Sequence, residues 1–232
     1  MSAMITIGYV RSPYLEKFAV PRQPGLAKAA IGHCDLVGEC GHPEAVRGLG
    51  EFSHIWVIFE FHQTKQQGWK PLVRPPRLGG NRKVGVFASR STYRPNSIGM
   101  SLVKIIAIDH LFVDGKPVNR ISVEGLDLVD GTPILDIKPY LAYAESVPDA
   151  KGGYADSPPP ATKRIVFGQS ARDQLAPNTI LLIEQVLQQD PRPAYQRDQI
   201  GDRIYGVKLD GWNIRFRFAT VDEIEVVDVL AL

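Results

Sequence analysis

The amino-acid sequence predicts a mainly β protein, in which an N-terminal β-barrel that is not of the Rossmann type precedes a small C-terminal α+β domain. Three observations lead to this prediction. The chain has 21 glycines and 18 prolines among 232 residues, which favours many turns and short strands. Short apolar runs typical of strands recur along the N-terminal part. No G-x-G-x-x-G fingerprint opens a βαβ unit.

The predicted strands of the barrel are short and are separated by glycine and proline turns. They cover residues 5–10, 55–61, 84–88, 98–108, 121–123 and 134–137. The Asp114-Gly115 pair between two apolar runs predicts a tight hairpin, and residues 43–49 are a candidate short helix. Six or more strands in an open sheet would leave edges that need protection, so we expect a closed or nearly closed barrel.

Residues 148–160, with the sequence PDAKGGYADSPPP, have no hydrophobic period and predict a linker. We therefore divide the chain into a barrel domain at residues 1–147, a linker at 148–163 and an α+β domain at 164–232.

The C-terminal domain is predicted from one helical and several strand-like patterns. Residues 164–167 form a predicted strand, and residues 179–189 a predicted amphipathic helix with Asn178 as its N-cap. The Asp210-Gly211 pair predicts a second hairpin, and residues 224–230 could add a further strand.

Basic residues are concentrated in one part of the chain. No acidic residue occurs between Glu60 and Asp109, and this acid-free segment contains nine of the 27 lysines and arginines. The remainder has 18 basic against 25 acidic residues. Such asymmetry is typical of proteins that bind nucleic acid or another phosphate-bearing partner. The alternative is a segment whose charges are solvated or paired with acidic loops.

Several classes of protein are disfavoured. No apolar run reaches the ~20 residues that cross a bilayer, and the N-terminus has no features of a secretion signal, so we expect a cytoplasmic protein without a membrane partner. The potential zinc donors His33, Cys34, Cys40 and His42 lack the spacing of a chelating pair, and we expect no metal. No P-loop and no G-x-S-x-G elbow is present.

Four loops combine charged residues with proline and small polar residues. They are residues 21–25 (PRQPG), 90–96 (RSTYRPN), 126–133 (LDLVDGTP) and 190–195 (DPRPAY). A guanidinium fixed between prolines suits a carboxylate or phosphate, although a rigid turn with a solvated arginine explains residues 21–25 equally well. Arginines beside an aromatic suit phosphates and bases. For Asp127 taken singly, turn capping is the favoured interpretation.

At these loops the sequence resembles the TsaA/TrmO family, the bacterial TrmO-type tRNA (adenine-N6)-methyltransferases that use S-adenosylmethionine. The blocks that carry the resemblance are RSPYLEKFAVPRQPGLAK from Arg11, HQT from His62, RPPRLGG from Arg74, VGVFASRSTYRPNSIGMSLV from Val84, LDLVDGTPILDIKPYL from Leu126, and DPRPAY from Asp190. They span nearly the whole chain. Residues 31–42, with their cysteines and histidines, depart from the family pattern.

The resemblance implies a fold, a cofactor and a substrate. The expected fold is a barrel unlike the Rossmann-type methyltransferases, followed by a smaller domain of mixed structure, in a homodimer. The expected cofactor is S-adenosyl-L-methionine. The expected substrate is the threonylcarbamoyl-adenosine next to the anticodon of threonine tRNA, methylated on N6, with the anticodon stem-loop as the bound part.

The matching loops supply the candidate cofactor contacts. We assign Arg22 with Gln23, and Arg90, to the carboxylate and polar edges, and His62 with Gln63 to the adenine. Asp130, Gly131 and Thr132 are assigned to the ammonium or ribose. Pro21 and Leu128 are expected as wall residues. Because positioning alone can supply much of the rate, the catalytic residue stays unknown, and Asp130 and Asp136 are the first candidates for a base.

Six basic residues and one tyrosine are the candidate tRNA contacts. These are Arg74, Arg77, Arg82, Lys83, Arg94, Arg192 and Tyr195. Two other functions stay open: a non-catalytic RNA-binding β-barrel that reads single-stranded loops, and a zinc- or thiol-based redox protein that would need reactive cysteines.

Overall fold

The computed structural model describes residues 4–192 and 199–232, and its N-terminal part is a closed β-barrel. The strands of this part are β1 (Gly8–Arg11), β2 (Ile31–Leu36), β3 (His54–Glu60), β4 (Leu72–Val73), β5 (Val84–Gly85), β6 (Ile98–Val113), β7 (Lys116–Glu124) and β8 (Pro133–Pro139). The barrel has the order β1-β2-β7-β6-β3-β8, and every neighbouring pair is antiparallel. The prediction of a mainly β, non-Rossmann barrel is confirmed.

Side chains alternate between the inside and the outside of the barrel, as the period of a strand requires. In β3 the buried positions are Ile55, Val57 and Phe59. Gly99 of β6 pairs with Phe59, and a Cβ at this glycine would lie 2.4 Å from the Phe59 ring. A larger residue at position 99 would therefore push the ring away from the strand.

The hairpin between β6 and β7 is confirmed at the predicted turn. Asp114 and Gly115 have φ angles of 52° and 74°, and positive φ at both central residues defines a type I′ turn. The two strands pair from Lys104 to Val113 with a register shift between Ile105 and Ala107, and the predicted strand at residues 98–108 continues to the turn.

Three local predictions in this part are corrected. β2 (Ile31–Leu36) was not predicted as a strand, yet it pairs with both β1 and β7. The predicted strand at residues 84–88 is a strand only at Val84–Gly85, and Val86–Ala88 form a 3-10 turn. The candidate helix at residues 43–49 is a 3-10 helix only at Pro43–Val46, because Arg47 leaves the helical region with a ψ of 128°. Gly48 follows with a φ of 80°.

The C-terminal part is a four-stranded sheet with two short helices. After the short helix α1 (Ala142–Glu145), its elements are β9 (Arg164–Phe167), α2 (Gln169–Asp173), α3 (Pro177–Leu187), β10 (Tyr205–Leu209), β11 (Trp212–Phe218) and β12 (Glu223–Ala231). The sheet order is β10-β11-β12-β9, with β9 parallel to β12. The predicted α+β architecture is confirmed, and Asp210 and Gly211 form its second hairpin turn.

The start of α3 differs from the prediction. Its N-cap is Ala176 and its first residue is Pro177, whereas we expected Asn178 to cap the helix. Proline is favoured at the first helical position because its missing N–H would have no partner there. Thr179, Leu182, Ile183, Val186 and Leu187 form the buried stripe of the helix.

Residues 12–30, which connect β1 to β2, lie in both parts of the molecule. Tyr14, Ala19, Ala27, Ala29 and Ala30 belong to the same hydrophobic cluster as the side chains of α3 and β10–β12. The barrel has a separate cluster. The division at residues 148–163 stays a prediction, but the second core takes a segment from the first domain.

The predicted linker is attached to the acid-free segment. The Arg77 guanidinium donates to the carbonyl oxygen of Ser157, and the Tyr154 hydroxyl donates to the carbonyl oxygen of Ala88 at 3.1 Å.

None of the helices within residues 4–192 and 199–232 has the length and hydrophobicity of a membrane-spanning helix.

Candidate active site

A cavity of about 290 Å³ opens where the loops at one end of the barrel meet the 12–30 segment. Its wall contains eight of the ten predicted cofactor contacts: Pro21, Arg22, Gln23, His62, Gln63, Arg90, Leu128 and Thr132. These residues are up to 111 positions apart in sequence, counting from Pro21 to Thr132. The structure thus brings together loops that the sequence could relate only through the family pattern.

The barrel strands position these loops. His62 and Gln63 follow the end of β3, while Met100 and Ser101 come from β6 next to it. The loop at residues 126–132 connects β7 to β8. All three sets of residues therefore reach the cavity from adjacent strands.

The 21–25 loop is bound directly to the start of the 126–132 loop. The Gly25 amide donates to the carbonyl oxygen of Gly125 at 2.8 Å. A Cβ at Gly125 would lie 3.0 Å from the Gly25 Cα, and Gly125 has a φ of 74°. Only glycine allows this approach without strain, so the two glycines set the distance between the loops.

Three cationic side chains, those of Lys17, Arg22 and Arg90, line the cavity. Arg90 donates a 2.7 Å hydrogen bond to Oε1 of Gln23, which joins two predicted contacts from separate loops. Lys17 Nζ donates to the carbonyl oxygen of Gln63 at 3.3 Å. Together with Arg22, these cationic groups make the cavity suited to a ligand that carries a carboxylate or phosphate.

Asp127 is the carboxyl that reaches the cavity from the 126–132 loop. The Ser101 hydroxyl donates to its Oδ1 at 2.6 Å. Burial raises the pKa of Asp127 to about 6, and the Ser101 hydrogen bond and the charge of Arg90 oppose that rise. We predicted Asp127 as a turn cap, so its place in the site was missed; the only signal was a second carboxyl three residues before Asp130.

A buried hydroxyl lies within the electrostatic reach of Asp127. Tyr14 is fully buried, and its hydroxyl has no hydrogen-bond partner among the described residues. Burial and the charge of Asp127 both raise the pKa of Tyr14, so this phenol stays neutral and is a donor at physiological pH.

Asp130 and Gly131 do not line the cavity, and their role as cofactor contacts stays a prediction. Ser12 donates its amide to Oδ1 of Asp130 at 2.9 Å. The amide of Asp130 donates to the Tyr14 carbonyl, and the amide of Gly131 to the Val10 carbonyl, both at 2.9 Å. These two residues hold the loop on the end of β1 through their main chain and through the Asp130 carboxylate.

Asp136, the other candidate base, also lies outside the cavity wall. Its side chain is about half exposed (49%) and lies 3.4 Å from Lys138 Nζ. It accepts a hydrogen bond from the amide of Ile137. Neither carboxyl that the sequence suggested as a base therefore faces the cavity, and Asp127 takes their place as the group to test.

Some of the predicted tRNA contacts are exposed, and others form hydrogen bonds within the protein. Arg74, Arg82 and Lys83 are exposed on the acid-free segment. Arg94 donates to the carbonyl oxygen of Ser89 at 2.9 Å, and Arg77 binds Ser157. The last two therefore also shape their own loops.

The prediction that Arg192 contacts tRNA is contradicted by its burial. Only 1% of its side chain is exposed, and Nη2 of its guanidinium lies 2.8 Å from Oδ2 of Asp190. Its guanidinium lies 3.1 Å from the centre of the Phe218 ring and donates to the Gln199 carbonyl at 2.7 Å. Tyr195, the remaining predicted contact, lies outside the described residues.

The cysteines and histidines of residues 31–42 have structural surroundings. Cys34 is fully buried in the barrel core, and burial raises the pKa of its thiol to about 12. His33 hydrogen-bonds with the Ser122 hydroxyl at 2.9 Å, and the Cys40 carbonyl accepts from Asn119 at 2.9 Å. Within the described residues, no three His, Cys, Asp or Glu side chains are grouped to hold a metal ion.

Comparisons with known proteins cover both parts of the chain. Residues 9–146 match the model of the tRNA-methyltransferase O N-terminal domain, and residues 160–232 match that of the TrmO C-terminal domain. The chain is 51% identical over 217 residues to a tRNA (adenine(37)-N6)-methyltransferase of Escherichia coli K12, with 91% of each chain covered.

Two comparisons with Pseudomonas aeruginosa proteins agree with this match. The chain is 46% identical over 230 residues to a putative S-adenosylmethionine-dependent methyltransferase, RcsF, with 96% of this chain and 95% of the relative covered. A crystal structure of TrmO from this organism superposes with a TM-score of 0.79 at 39% identity, covering 100% of this chain and 99% of that one.

Proposed function

Because this chain belongs to the tRNA-methyltransferase O family, it is a tRNA adenine(37)-N6-methyltransferase, and we propose that it methylates the threonylcarbamoyl-adenosine next to the anticodon of threonine tRNA. The methyl donor is S-adenosylmethionine, as in the relatives named for it. Membership of an enzyme family leaves no support for a non-catalytic RNA-binding barrel or for a redox protein.

The observation that carries the proposal is the meeting of eight predicted contacts in one cavity. Its volume, about 290 Å³, is close to the lower end of the range of small-molecule sites, roughly 300 to 1,000 Å³. The 126–132 loop reaches it with the Asp127 carboxyl and the Leu128 side chain, whereas Asp130 points away to hold the chain.

The residues of the cavity fit S-adenosylmethionine by their chemistry. We propose that Arg22, with Gln23 and Arg90, binds the carboxylate. Pro21 and Leu128 supply apolar walls, and His62 with Gln63 provides hydrogen-bonding groups for the adenine edge. Thr132 remains a proposed cofactor contact. Asp130 and Gly131 hold the 126–132 loop in place.

S-adenosylmethionine carries its methyl group on a positively charged sulfur, which makes the methyl carbon a strong electrophile. The protein therefore does not have to activate this carbon. The accepting N6 gains positive character as it is methylated and then loses its proton. We propose that the Asp127 carboxylate accepts this proton, because it lies in the cavity wall and its pKa of about 6 leaves it ionised near neutral pH. The Ser101 hydroxyl orients the carboxylate.

The exposed arginines and lysine of the acid-free segment form the proposed tRNA surface. Arg74, Arg82 and Lys83 project there without an acidic residue in the surrounding sequence, and phosphate contacts supply most of the affinity for nucleic acids. Exposed Trp69 and Phe87 on the same segment offer faces for base stacking.

We also propose that the protein is a homodimer and that it acts in the cytoplasm, where its tRNA is.

The test is methyl transfer to purified tRNA from cells that lack this protein. We expect calorimetry to give one S-adenosylmethionine per chain, and labelled methyl groups to enter threonine tRNA that carries threonylcarbamoyl-adenosine. The matched control is the same tRNA without the threonylcarbamoyl group, which should stay unlabelled. Equal labelling of the two tRNAs would overturn the proposed substrate, and sedimentation of the protein as a monomer would overturn the dimer.

A further inference from the structure

Helix α3 of the C-terminal part is hydrogen-bonded to the segment that follows the 21–25 loop. Oε1 of Gln185 accepts from the amide of Ala29 at 2.8 Å. Nε2 of Gln189 donates to the carbonyl oxygen of Leu26 at 3.2 Å. Gln189 lies two residues beyond the end of α3, and its Nε2 also donates to the carbonyl oxygen of Gln185 at 2.9 Å. The two glutamines therefore hold the same short stretch of chain by a donor and an acceptor.

The segment that precedes the loop is also bound by the C-terminal part. The amide of Asp210 donates to the carbonyl oxygen of Pro13 at 2.9 Å, and the amide of Lys208 donates to Oε1 of Glu16 at 3.1 Å. Both flanks of the 21–25 loop are therefore held by residues that lie more than 150 positions further along the chain.

Arg22 connects these contacts to the cavity. It lines the main cavity, and it also lines a smaller cleft of about 110 Å³ that contains Gln189 and the end of the linker. Gln189 and Arg22 therefore share one cleft, so a change in the position of Gln189 would alter the surroundings of a residue of the proposed cofactor site.

From these contacts we infer that Gln185 and Gln189 are positioning residues, which hold the 21–25 loop in the conformation that binds S-adenosylmethionine. The inference rests on the proposed function of that loop. It assigns the C-terminal part a role in the cofactor site, although none of the residues described in that part lines the main cavity. Neither glutamine touches the reacting groups, so each acts through the main chain of residues 26–29.

Gln185 accepts a hydrogen bond from the segment and Gln189 donates one to it, so the same substitution should have different effects at the two positions. Glutamate has the shape of glutamine but only acceptor atoms when ionised. Gln185→Glu should keep the acceptor that the Ala29 amide needs. Gln189→Glu should lose the donor and place a carboxylate against the Leu26 carbonyl. Methionine at either position removes the hydrogen bond and keeps a chain of similar length.

The experiment measures the affinity of the full-length protein for S-adenosylmethionine by calorimetry. We expect Gln185→Met, Gln189→Met and Gln189→Glu to weaken it about three- to tenfold, as the loss of one hydrogen bond predicts. Gln185→Glu should stay within about twofold of the parent. The matched control is Gln174→Met, because the Gln174 side chain donates to the carbonyl oxygen of Ser170 in α2. The affinity of this variant for S-adenosylmethionine should not change.

A second readout separates positioning from general stability. Steady-state kinetics should show a higher KM for S-adenosylmethionine in the three weakened variants, with kcat close to that of the parent. Hydrogen exchange should show faster exchange of the Ala29 amide in Gln185→Met while the amides of α3 stay protected. This readout keeps the inference testable if a variant is less stable.

The outcomes distinguish this inference from the proposed function. If Arg22→Ala loses cofactor affinity but the glutamine variants bind like the parent, the glutamines only stabilise the fold and the inference is wrong. Equal loss in Gln185→Glu and Gln185→Met would also overturn it. If the parent protein does not bind S-adenosylmethionine, the proposed function fails, and the inference fails with it.

Discussion

Ser101 and Asp127, which lie 26 residues apart, are joined by a 2.6 Å hydrogen bond in the wall of the cavity. The serine lies on β6 and the aspartate on the loop after β7. The bond therefore fixes a carboxylate from a loop to a side chain on a rigid strand. It orients Oδ1, and it leaves the second oxygen of the carboxylate for another partner.

Asp127→Asn should lower kcat by about 100-fold, because the amide cannot accept the N6 proton. In the parent protein, kcat should fall as the pH decreases through about 6, where Asp127 becomes protonated. Single-turnover methyl transfer measured from pH 5 to 8 checks both expectations. If cofactor affinity rather than kcat follows this titration, Asp127 binds the ammonium group and is not the base.

The same pKa predicts how stability depends on pH. The folded-state pKa of Asp127, about 6, lies above its usual value of 3.8. The folded protein therefore binds this proton more tightly than the unfolded chain does, and the contribution of Asp127 to the free energy of unfolding decreases as pH rises between these two values. In Asp127→Asn this decrease should be absent. Urea unfolding of both proteins at several pH values provides the measurement.

Arg22→Ala should weaken the binding of S-adenosylmethionine by about 1.5 to 3 kcal/mol if the guanidinium pairs with the ligand carboxylate. Binding of tRNA should keep a nearly normal salt dependence. Arg47→Ala is the control, because Arg47 is an exposed arginine that pairs with Glu44 and does not line the cavity. An unchanged calorimetric affinity in the folded Arg22 variant would remove this residue from the site.

Arg82→Ala should weaken tRNA binding and reduce its salt dependence. Each phosphate contact that is lost flattens the slope of log affinity against log salt by roughly 0.7 to 0.9. Lys116→Ala, at the tip of the β6–β7 hairpin outside the acid-free segment, serves as the control and should keep the slope of the parent. Equal slopes for the Arg82 variant and the parent would show that this segment does not bind the phosphates.

Arg192→Met should destabilise the protein by about 3 to 5 kcal/mol, since it leaves the buried Asp190 carboxylate without its cation. The side chain of Asp190 is only 6% exposed. The control is Arg203→Met, which removes an exposed arginine beside Tyr205. Chemical denaturation measures both changes. A loss of tRNA affinity at unchanged stability would restore the role that the sequence suggested for Arg192.

The sequence predicted the barrel and the hairpins because these features depend on local chemistry. Asp114-Gly115 and Asp210-Gly211 take the positive φ angles that the dipeptides favour. β2 (Ile31–Leu36) escaped prediction because its sequence, IGHCDL, contains glycine, histidine and aspartate. It is a strand because it lies between β1 and β7, and tertiary pairing outweighs weak propensity.

The cavity residues were predicted from the family pattern, whereas the roles of single charges were not. Sequence spacing in a loop does not say which carboxyl turns inward, so Asp130 was selected and Asp127 was not. The burial of Arg192 depends on Phe218, which lies 26 residues later in the chain. Such long-range contacts have no signature in the local sequence, and the same is true of the glutamine contacts of α3.

The long separation between the 12–30 segment and its partners has a consequence during synthesis. Gln185 is made 156 residues after Ala29, which at usual rates of translation is a delay of roughly 10 to 30 seconds. Until then, the alanines and Tyr14 of the early segment have no core to enter. A nascent barrel can form its strands on the ribosome, whereas the 12–30 segment finds its packing partners in α3 and β10–β12 only near the end of translation. Unfinished chains would therefore leave the apolar side chains of this segment exposed to solvent.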